Sequence, residues 1–222
     1  MDGQGRDAVP QAIGQSELIA MLRGAVEQVR RNHEMLSKLD SFGGDGDHGT
    51  TMLRAMGIVE KVIETPNSGD PKSLLNDIGW GILGVDGGAT GPLFGTFFMG
   101  MSEAATGQGP VDAGALASMF ESGLAAVQKR TPARVGDKTM IDALVPAVQA
   151  MRSAADAGAD LLTGLERAVE AAEQGAASTK DLQARFGRAR NIGARSVGSP
   201  DPGAASVALI FRGFVEGVRS LA

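Results

Sequence analysis

Apolar residues recur at three- and four-residue steps along most of the chain, which is the spacing of one face of an amphipathic helix. The first such stripe follows Ser16, a residue type favoured as a helix N-cap, and continues to about Leu39. No segment alternates apolar and polar residues with the two-residue period of a strand. The pattern therefore predicts an all-α fold. Seven further helices are predicted over Met52–Ile63, Leu74–Ile82, Leu93–Met101, Leu116–Val127, Ile141–Met151, Leu161–Val169 and Val207–Val218.

One domain is expected from the length of 222 residues. The hydrophobic fraction of 43% is ordinary for a globular protein and excludes global disorder. Residues 1–14 mix Gly, Gln, Asp and Pro without helical periodicity. We therefore expect a flexible N-terminal tail over residues 1–14 and a single helical domain over residues 15–222.

The charge and composition of the chain argue against nucleic acid and membranes as partners. Lys and Arg number 21 against 26 Asp and Glu, and no basic run is interleaved with aromatic residues, so a nucleic-acid surface is not expected. No uncharged apolar run approaches the ~20 residues that a bilayer crossing needs, and no hydrophobic signal segment follows Met1. The chain has no cysteine, which excludes disulfides and zinc–thiolate sites. We expect a cytoplasmic protein that binds neither nucleic acid nor membrane.

The glycines are concentrated in four regions, at 43–49, 84–95, 136 and 187–203, each before a predicted helix or around its first turn. Glycine allows backbone N–H groups to approach a ligand closely, and a helix N-terminus attracts anions. Two interpretations stay open. The glycines form tight helix connections that need positive φ, or the loops converge at one end of the bundle and bind phosphate.

Three carboxylates lie close together in sequence, at Asp40, Asp45 and Asp47, separated mostly by small residues. Such carboxylates repel one another, and a hard cation relieves the repulsion; Mg²⁺ typically takes a few carboxylates together with substrate phosphates. An EF-hand is disfavoured, because the twelfth position counted from Asp45 is Met56 rather than Glu. The segment predicts a magnesium–nucleotide site. The alternative is an Asp-rich turn in which Asp47 caps a helix.

The two common nucleotide-binding loops are absent, since neither a G-x-x-x-x-G-K-[ST] string nor a strand followed by G-x-G-x-x-G occurs. Instead, the chain contains four other strings, which are Asp45–Thr50, Gly87–Pro92, Gly136–Met140, and Gly187–Ala189 followed by Asp201–Ala204. These strings, in this order, resemble those of the L subunit family of dihydroxyacetone kinases, over about residues 16–220. The resemblance implies an antiparallel barrel or bundle of eight helices whose one open end binds ADP or ATP with two Mg²⁺ ions.

The resemblance also implies a role for individual residues. Asp40, Asp45 and Asp47 would bind the magnesium ions. The residues that would contact the nucleotide or its phosphates are His48, Gly49, Thr50, Thr51, Ala89, Thr90, Thr131, Met140, Arg188, Asp201, Pro202 and Gly203.

Four departures from the family pattern lie at or near these residues. Thr90 stands where serine is usual, which keeps the hydroxyl. Thr131 stands where the family often has glycine, which affects the expected contacts on the adenine side. Ser199–Pro200 replaces a His-Gln pair, and Arg190–Asn191 replaces Ser-Tyr, so the cover over the nucleotide is expected to differ.

By resemblance, the chain is a kinase subunit that positions a magnesium nucleotide for phosphoryl transfer to a hydroxyketone held by a separate K subunit. The phosphoryl donor is either ATP or a phosphohistidine carrier, the M subunit, that recharges resident ADP. The ketose is dihydroxyacetone or a tetrulose such as erythrulose. An alternative is a regulatory nucleotide-binding module of the same fold without kinase activity. A third interpretation is a relative of the fatty-acid kinases that share this domain, but those proteins usually have threonine in place of His48.

Overall fold

The computed structural model describes residues 12–65, 70–106 and 111–221. It is almost entirely helical, as predicted, and each predicted apolar stripe lies on an α-helix. The remaining elements in the described ranges are two-residue strands, β1 (Ala12–Ile13) and β2 (Val111–Asp112), and two 3₁₀ helices, Thr179–Asp181 and Arg188–Ser196. The α-helices are α1 (Gln15–Asp40), α2 (His48–Glu64), α3 (Pro71–Leu83), α4 (Thr90–Ala104), α5 (Ala113–Arg130), α6 (Ile141–Asp156), α7 (Leu161–Ser178) and α8 (Pro202–Arg219).

The helices close into a ring. Each helix packs against the next one in sequence, and α8 packs extensively against α1. Because neighbouring helices in such a bundle run antiparallel, the architecture is an up-and-down barrel of eight helices. The predicted eight-helix barrel is thereby confirmed.

This topology determines where the four sequence strings lie. In an up-and-down ring, the connections that leave odd-numbered helices all lie at one end. These connections are α1 to α2, α3 to α4, α5 to α6 and α7 to α8, and they contain the aspartate loop and the three glycine-containing strings. The short β1–β2 pair and the connections that leave even-numbered helices belong to the opposite end.

Apolar side chains from all eight helices fill the interior of the barrel. Phenylalanines form its centre: the ring of Phe120 on α5 lies 5.1 Å from Phe211 and 6.0 Å from Phe214, both on α8, and 6.3 Å from Phe97 on α4. These aromatic side chains connect α4, α5 and α8. Edge and offset contacts between them add to the stabilisation from burial of apolar area.

Glycines allow α1 and α8 to close the ring at short distance. A Cβ placed on Gly213 would overlap the backbone at Ala25, and one on Gly24 would overlap the carbonyl group of Gly213. Gly217 is in equally close contact with the backbone of Ala20. No residue with a side chain fits at these positions unless the two helices separate.

We expect Gly213→Ala to lower the free energy of unfolding by about 1–3 kcal/mol, the usual cost of overpacking. Gly57→Ala is the matched control, because Gly57 also lies within a helix but nothing stands within 4 Å of its added Cβ. The control should stabilise by about 0.5–1 kcal/mol through helix propensity. Chemical denaturation of the two variants measures both values, and a destabilising effect of similar size in both would contradict the close α1–α8 packing.

The N-terminal region differs from the sequence prediction in two details. Helix α1 begins at Gln15, with Gly14 as its N-cap, because the Glu17 carboxylate reaches back to accept the Gly14 N–H at 2.7 Å. The prediction of Ser16 as N-cap is therefore wrong. Of the predicted tail, Ala12 and Ile13 pair antiparallel with β2, while residues 1–11 lie outside the described residues.

No helix within the described ranges is both long enough and apolar enough to cross a bilayer.

Candidate functional site

The connections at the odd-to-even end of the barrel surround a cleft of about 710 Å³. Most of the residues predicted from the sequence as nucleotide or metal contacts line it, although they are far apart in the chain. They are Asp40, Asp47, His48, Ala89, Thr90, Thr131, Met140, Arg188, Asp201, Pro202 and Gly203.

The aspartate loop folds its carboxylates together at the edge of this cleft. Asp40 is the last residue of α1, and its Oδ2 accepts the backbone N–H groups of Gly46 at 2.9 Å and His48 at 3.3 Å. Gly46 has φ +80, which lets the chain turn back sharply. Each of Asp40, Asp45 and Asp47 contributes one carboxylate oxygen to a group in which all lie within 4.8 Å of one another. Three hard oxygen donors at this spacing suit a divalent cation such as Mg²⁺.

An arginine from the neighbouring connection, between α7 and α8, approaches the same carboxylates. The Arg188 guanidinium forms an ion pair with Asp45 and lies 3.6 Å from a carboxylate oxygen of Asp47. The side chains of Arg188 and Asp45 are about half exposed, at 53% and 47%, so this pair is weakly stabilising and exchangeable. The protein thus supplies one positive charge to a cluster that carries three negative ones.

The helices that begin at the cleft differ at their N-termini: Asp201 caps α8 and Thr139 Oγ1 accepts the Ile141 N–H of α6, whereas α2 and α4 are uncapped. Asp70, Asp112, Asp160 and Asp201 cap α3, α5, α7 and α8 through their side chains. By contrast, α2 and α4, whose first residues line the cleft, have no side-chain cap. Within the described part of the chain, their first N–H groups past the N-cap have no acceptor, apart from the His48 N–H bound by Asp40. Two uncapped N-termini on one cleft form a site for anions.

His48 connects three of the four helices that begin at the cleft. Its Nδ1 lies 3.2 Å from Thr90 Oγ1 and its Nε2 lies 2.8 Å from Ser206 Oγ. Because Ser206 Oγ donates to the Pro202 carbonyl, we assign the proton to Nε2 and the acceptor role to Nδ1. Burial lowers the pKa of His48, against the opposing charges of Asp40 and Asp47. A neutral imidazole therefore holds the first turns of α2, α4 and α8 together.

Two further carboxylates interact at the cleft, where Asp201 lines the wall and Asp142 lies near it. Asp201 caps α8 by accepting the Ala204 N–H at 2.8 Å, and burial, together with the charge of Asp142, raises its pKa to about 7. Asp142, on α6, accepts the N–H groups of Gly136 and Thr139 and so shapes the turn before its helix. Asp201 thus holds the first turn of α8, and Asp142 holds the turn that precedes α6.

Four of the predicted residues do not line the cleft. Asp45 lies at its rim, within the carboxylate cluster. Gly49 packs against α1, where an added Cβ would overlap the carbonyl oxygen of His33. Thr50 is exposed, and Thr51 is fully buried with its hydroxyl bound by Arg54 at 3.1 Å. The helical turn directs the Thr51 side chain into the barrel wall, so its hydroxyl does not face the cleft; the phosphate contact of Thr51 stays a prediction.

Sequence reasoning also missed residues that line the cleft. Arg130 and Phe186 directly precede the positions that were singled out, Thr131 and Gly187. Lys138 belongs to the quoted string Gly136–Met140 but was assigned no role, and its ammonium donates to backbone carbonyls rather than to a carboxylate. The sequence signal for all three residues is their position within a glycine-containing string or directly beside a residue that was singled out.

The family of the chain follows from comparison with known proteins. A model of the DAK2 domain matches residues 43–216. The ADP-binding subunit DhaL of the PEP-dependent dihydroxyacetone kinase 1 of Listeria innocua is 39% identical over 190 residues, which cover 86% of this chain and 90% of that protein. The corresponding DhaL subunit of Escherichia coli is 36% identical over 196 residues, with coverage of 88% and 93%. The chain therefore belongs to the DAK2 domain family and is of the DhaL type.

A solved structure supports the fold. The crystal structure of the dihydroxyacetone kinase from C. freundii in complex with AMP-PNP and Mg²⁺ matches with a TM-score of 0.71 and 24% identity. The match covers 97% of this chain but 36% of the C. freundii chain. The resemblance to the L subunit family and the all-α barrel expected from it are confirmed.

Proposed function

We propose that this chain is the nucleotide-binding subunit of a dihydroxyacetone kinase or a related kinase of small ketoses. The observation that carries the proposal is the convergence of two uncapped helix N-termini and three carboxylates on one cleft. The N-termini would bind phosphate oxygens, and the carboxylates would hold the accompanying cation. The relatives in Listeria innocua and Escherichia coli bear the name of ADP-binding subunits, which agrees with this assignment.

Asp40, Asp45 and Asp47 would hold magnesium, which when bound neutralises charge on the phosphates. Arg188 would then exchange its carboxylate partners for phosphate oxygens, because the cation takes over their charge. The first turns of α2 and α4 would hold the phosphates in a fixed orientation. Two magnesium ions, as the family resemblance implies, are part of this proposal.

The remaining lining residues would form the rest of the nucleotide site. Thr131 and Met140 line the cleft beside apolar groups such as Phe186, which suit the base and sugar. Asp201, Pro202 and Gly203 bound the cleft where α8 begins. The Thr131 hydroxyl oxygen already accepts the Ala133 N–H at 3.2 Å, so its proton is free to donate to the nucleotide.

The hydroxyketone would be bound by a separate K subunit, which docks where the cleft opens. Because the named relatives are PEP-dependent, we favour resident ADP that a phosphohistidine carrier recharges over freely exchanging ATP. In either case, this chain contributes positioning and charge neutralisation, which are the main protein contributions to phosphoryl transfer. A cytoplasmic location stays a prediction.

Metal and nucleotide should bind as a unit, because the carboxylates repel free phosphates. We expect the purified chain to retain ADP in native mass spectrometry and to release it when EDTA removes magnesium. Calorimetric titration of ADP should show at least about tenfold weaker binding in EDTA, which corresponds to the loss of ~1.4 kcal/mol. Titration with AMP is the control, since it lacks the second phosphate. Equal ADP affinity with and without magnesium would contradict the metal-bridged site.

A further inference from the structure

Lys138 occupies an unfavourable position in two respects. It is 5% exposed, and its φ of +60 makes it the one residue other than glycine with a positive φ in the described ranges. Glycine adopts this conformation without the steric cost that a Cβ brings. Burial lowers the pKa of the Lys138 ammonium, against the opposing charges of Asp201, Asp142 and Asp181. A strained and buried lysine points to a task that glycine cannot perform.

The contacts of the ammonium show what that task is. Lys138 Nζ donates to the backbone carbonyl oxygens of Thr179 at 2.6 Å and Ser199 at 2.5 Å. These two carbonyls lie at opposite ends of the segment 180–198, which we call the arginine loop. The ammonium thus joins the two ends of the loop, and we call this junction the neck.

Two further hydrogen bonds, both donated by backbone N–H groups, close the neck beside the ammonium. The Gly198 N–H donates to the Lys180 carbonyl at 2.8 Å. The Asp201 N–H donates to Thr179 Oγ1, also at 2.8 Å. Among the described residues, the Ser199 carbonyl has Lys138 as its one hydrogen-bond donor, so loss of the ammonium would leave that end of the neck unsatisfied.

The arginine loop carries Arg188, the cation that meets the aspartate cluster. Arg188 begins the second 3₁₀ helix, and its guanidinium reaches across to Asp45 and Asp47. The loop has other anchors between its ends. Arg185 binds Asp137 through its N–H and its side chain, and Ala189, next to Arg188, packs against Gly43 of the aspartate loop. The position of Arg188 therefore depends both on these contacts and on how firmly the ends of the loop are held.

We propose that Lys138 is a positioning residue, whose ammonium holds the neck of the arginine loop closed and thereby keeps Arg188 over the cleft. This inference rests on the proposed nucleotide site, in which Arg188 meets the phosphates. Although Lys138 lines the cleft, both hydrogen bonds of its ammonium go to the neck, so its role in this arrangement is to position the loop.

Limited trypsin digestion tests the neck directly, because the arginine loop contains trypsin sites at Lys180, Arg185, Arg188, Arg190 and Arg195. Cleavage is scored at the last three, which every variant in this digestion retains. We expect Lys138→Met to speed cleavage within the loop by about tenfold while sites on α2, such as Lys61, are cut as slowly as in wild type. Lys180→Met is the matched control, since Lys180 is exposed and contributes its backbone carbonyl alone to the neck. Lys138→Gly relieves the backbone strain and should open the loop equally, so the test survives if Lys138→Met folds poorly.

Kinetics with the partner K subunit show whether the neck acts through Arg188. We expect Lys138→Met to lower kcat by about tenfold with KM for the ketose unchanged. The double variant Lys138→Met with Arg188→Met should be no slower than Arg188→Met alone, because the second change removes the group that the first displaces.

Several outcomes would overturn the inference. Unchanged cleavage of the arginine loop in both Lys138 variants shows that the ammonium does not hold the neck. Faster cleavage at every site, including Lys61, shows a general loss of stability instead. Multiplying effects of Lys138→Met and Arg188→Met on kcat show that Lys138 does not act through Arg188. If wild type itself lacks turnover with the partner, the proposed function fails, while the digestion result still decides the role of the neck.

Discussion

Replacement of Asp45 by Asn should remove most of the magnesium-dependent affinity for ADP while the barrel stays folded. Asp45 accepts no backbone hydrogen bond in the described part of the chain, and its one partner is Arg188. Asp40, in contrast, holds the backbone of its own loop at Gly46 and His48. Asp45 is therefore the carboxylate whose loss separates binding from folding.

The expected size of this effect follows from metal chemistry. Loss of a residue that supports a metal ligand typically costs about 10–100-fold in metal affinity, and loss of a direct ligand should cost no less. For wild type, magnesium ADP at about 100 times its Kd should stabilise by about 2.7 kcal/mol, which raises the Tm by roughly 5–10 °C. The Asp45→Asn protein should show little of this increase at the same concentrations.

Without ligand, the two proteins should differ by about 0.5 kcal/mol or less, because Asp45 is half exposed and its charge is already matched by Arg188. Asp77→Asn, an exposed acid on α3, is the matched control and should keep the full ligand-induced increase in Tm. Equal increases in all three proteins would show that the aspartate loop is not the metal site.

The sequence predicts which loops meet at the site better than it predicts the individual side-chain contacts. Eight apolar stripes predict eight helices, and antiparallel packing then places the odd-to-even connections at one end. Asp40 and Asp201 are distant in the chain yet must lie near one cleft. Periodicity and loop chemistry suffice for this result, because both are local properties of the sequence.

Long-range contacts could not be predicted in the same way. The pairing of Arg188 with Asp45, and the position of His48 between Thr90 and Ser206, depend on how the helices are rotated against one another. Periodicity shows which face of a helix is apolar but not which polar residue at its end meets another. The burial of Thr51 is a case in point, since its hydroxyl is polar but the helix turns it into the wall.

Local backbone effects limited the prediction elsewhere. Ser16 is a good N-cap residue by type, but the extended backbone of Gly14 and the reach of Glu17 place the helix start earlier. The positive φ of Lys138 is not visible in the sequence, and neither are the two carbonyls that its ammonium meets at the neck. In both cases, tertiary or side-chain contacts outweigh the preference of the single residue.

Kinase activity on dihydroxyacetone should require a second protein. The side chains around the cleft are engaged: His48 lies between two hydroxyls, Lys138 binds carbonyls, and Asp201 caps α8. None of them is free to hold a ketose next to the phosphates. Since correct orientation of two reactants is worth many orders of magnitude, we expect turnover with a K subunit to exceed that of the chain alone by at least about 1,000-fold.

The measurement is the formation of dihydroxyacetone phosphate, once with ATP as donor and once with phosphoenolpyruvate and its phosphohistidine carrier proteins. Activity with phosphoenolpyruvate and its carrier proteins, but not with ATP, identifies resident ADP as the phosphate acceptor. The Asp45→Asn protein serves as the inactive control. Full turnover without any K subunit would place the ketose site on this chain. Tight binding of magnesium ADP without turnover under either donor would instead establish the regulatory module, because the same cleft can hold a nucleotide without presenting it to a substrate.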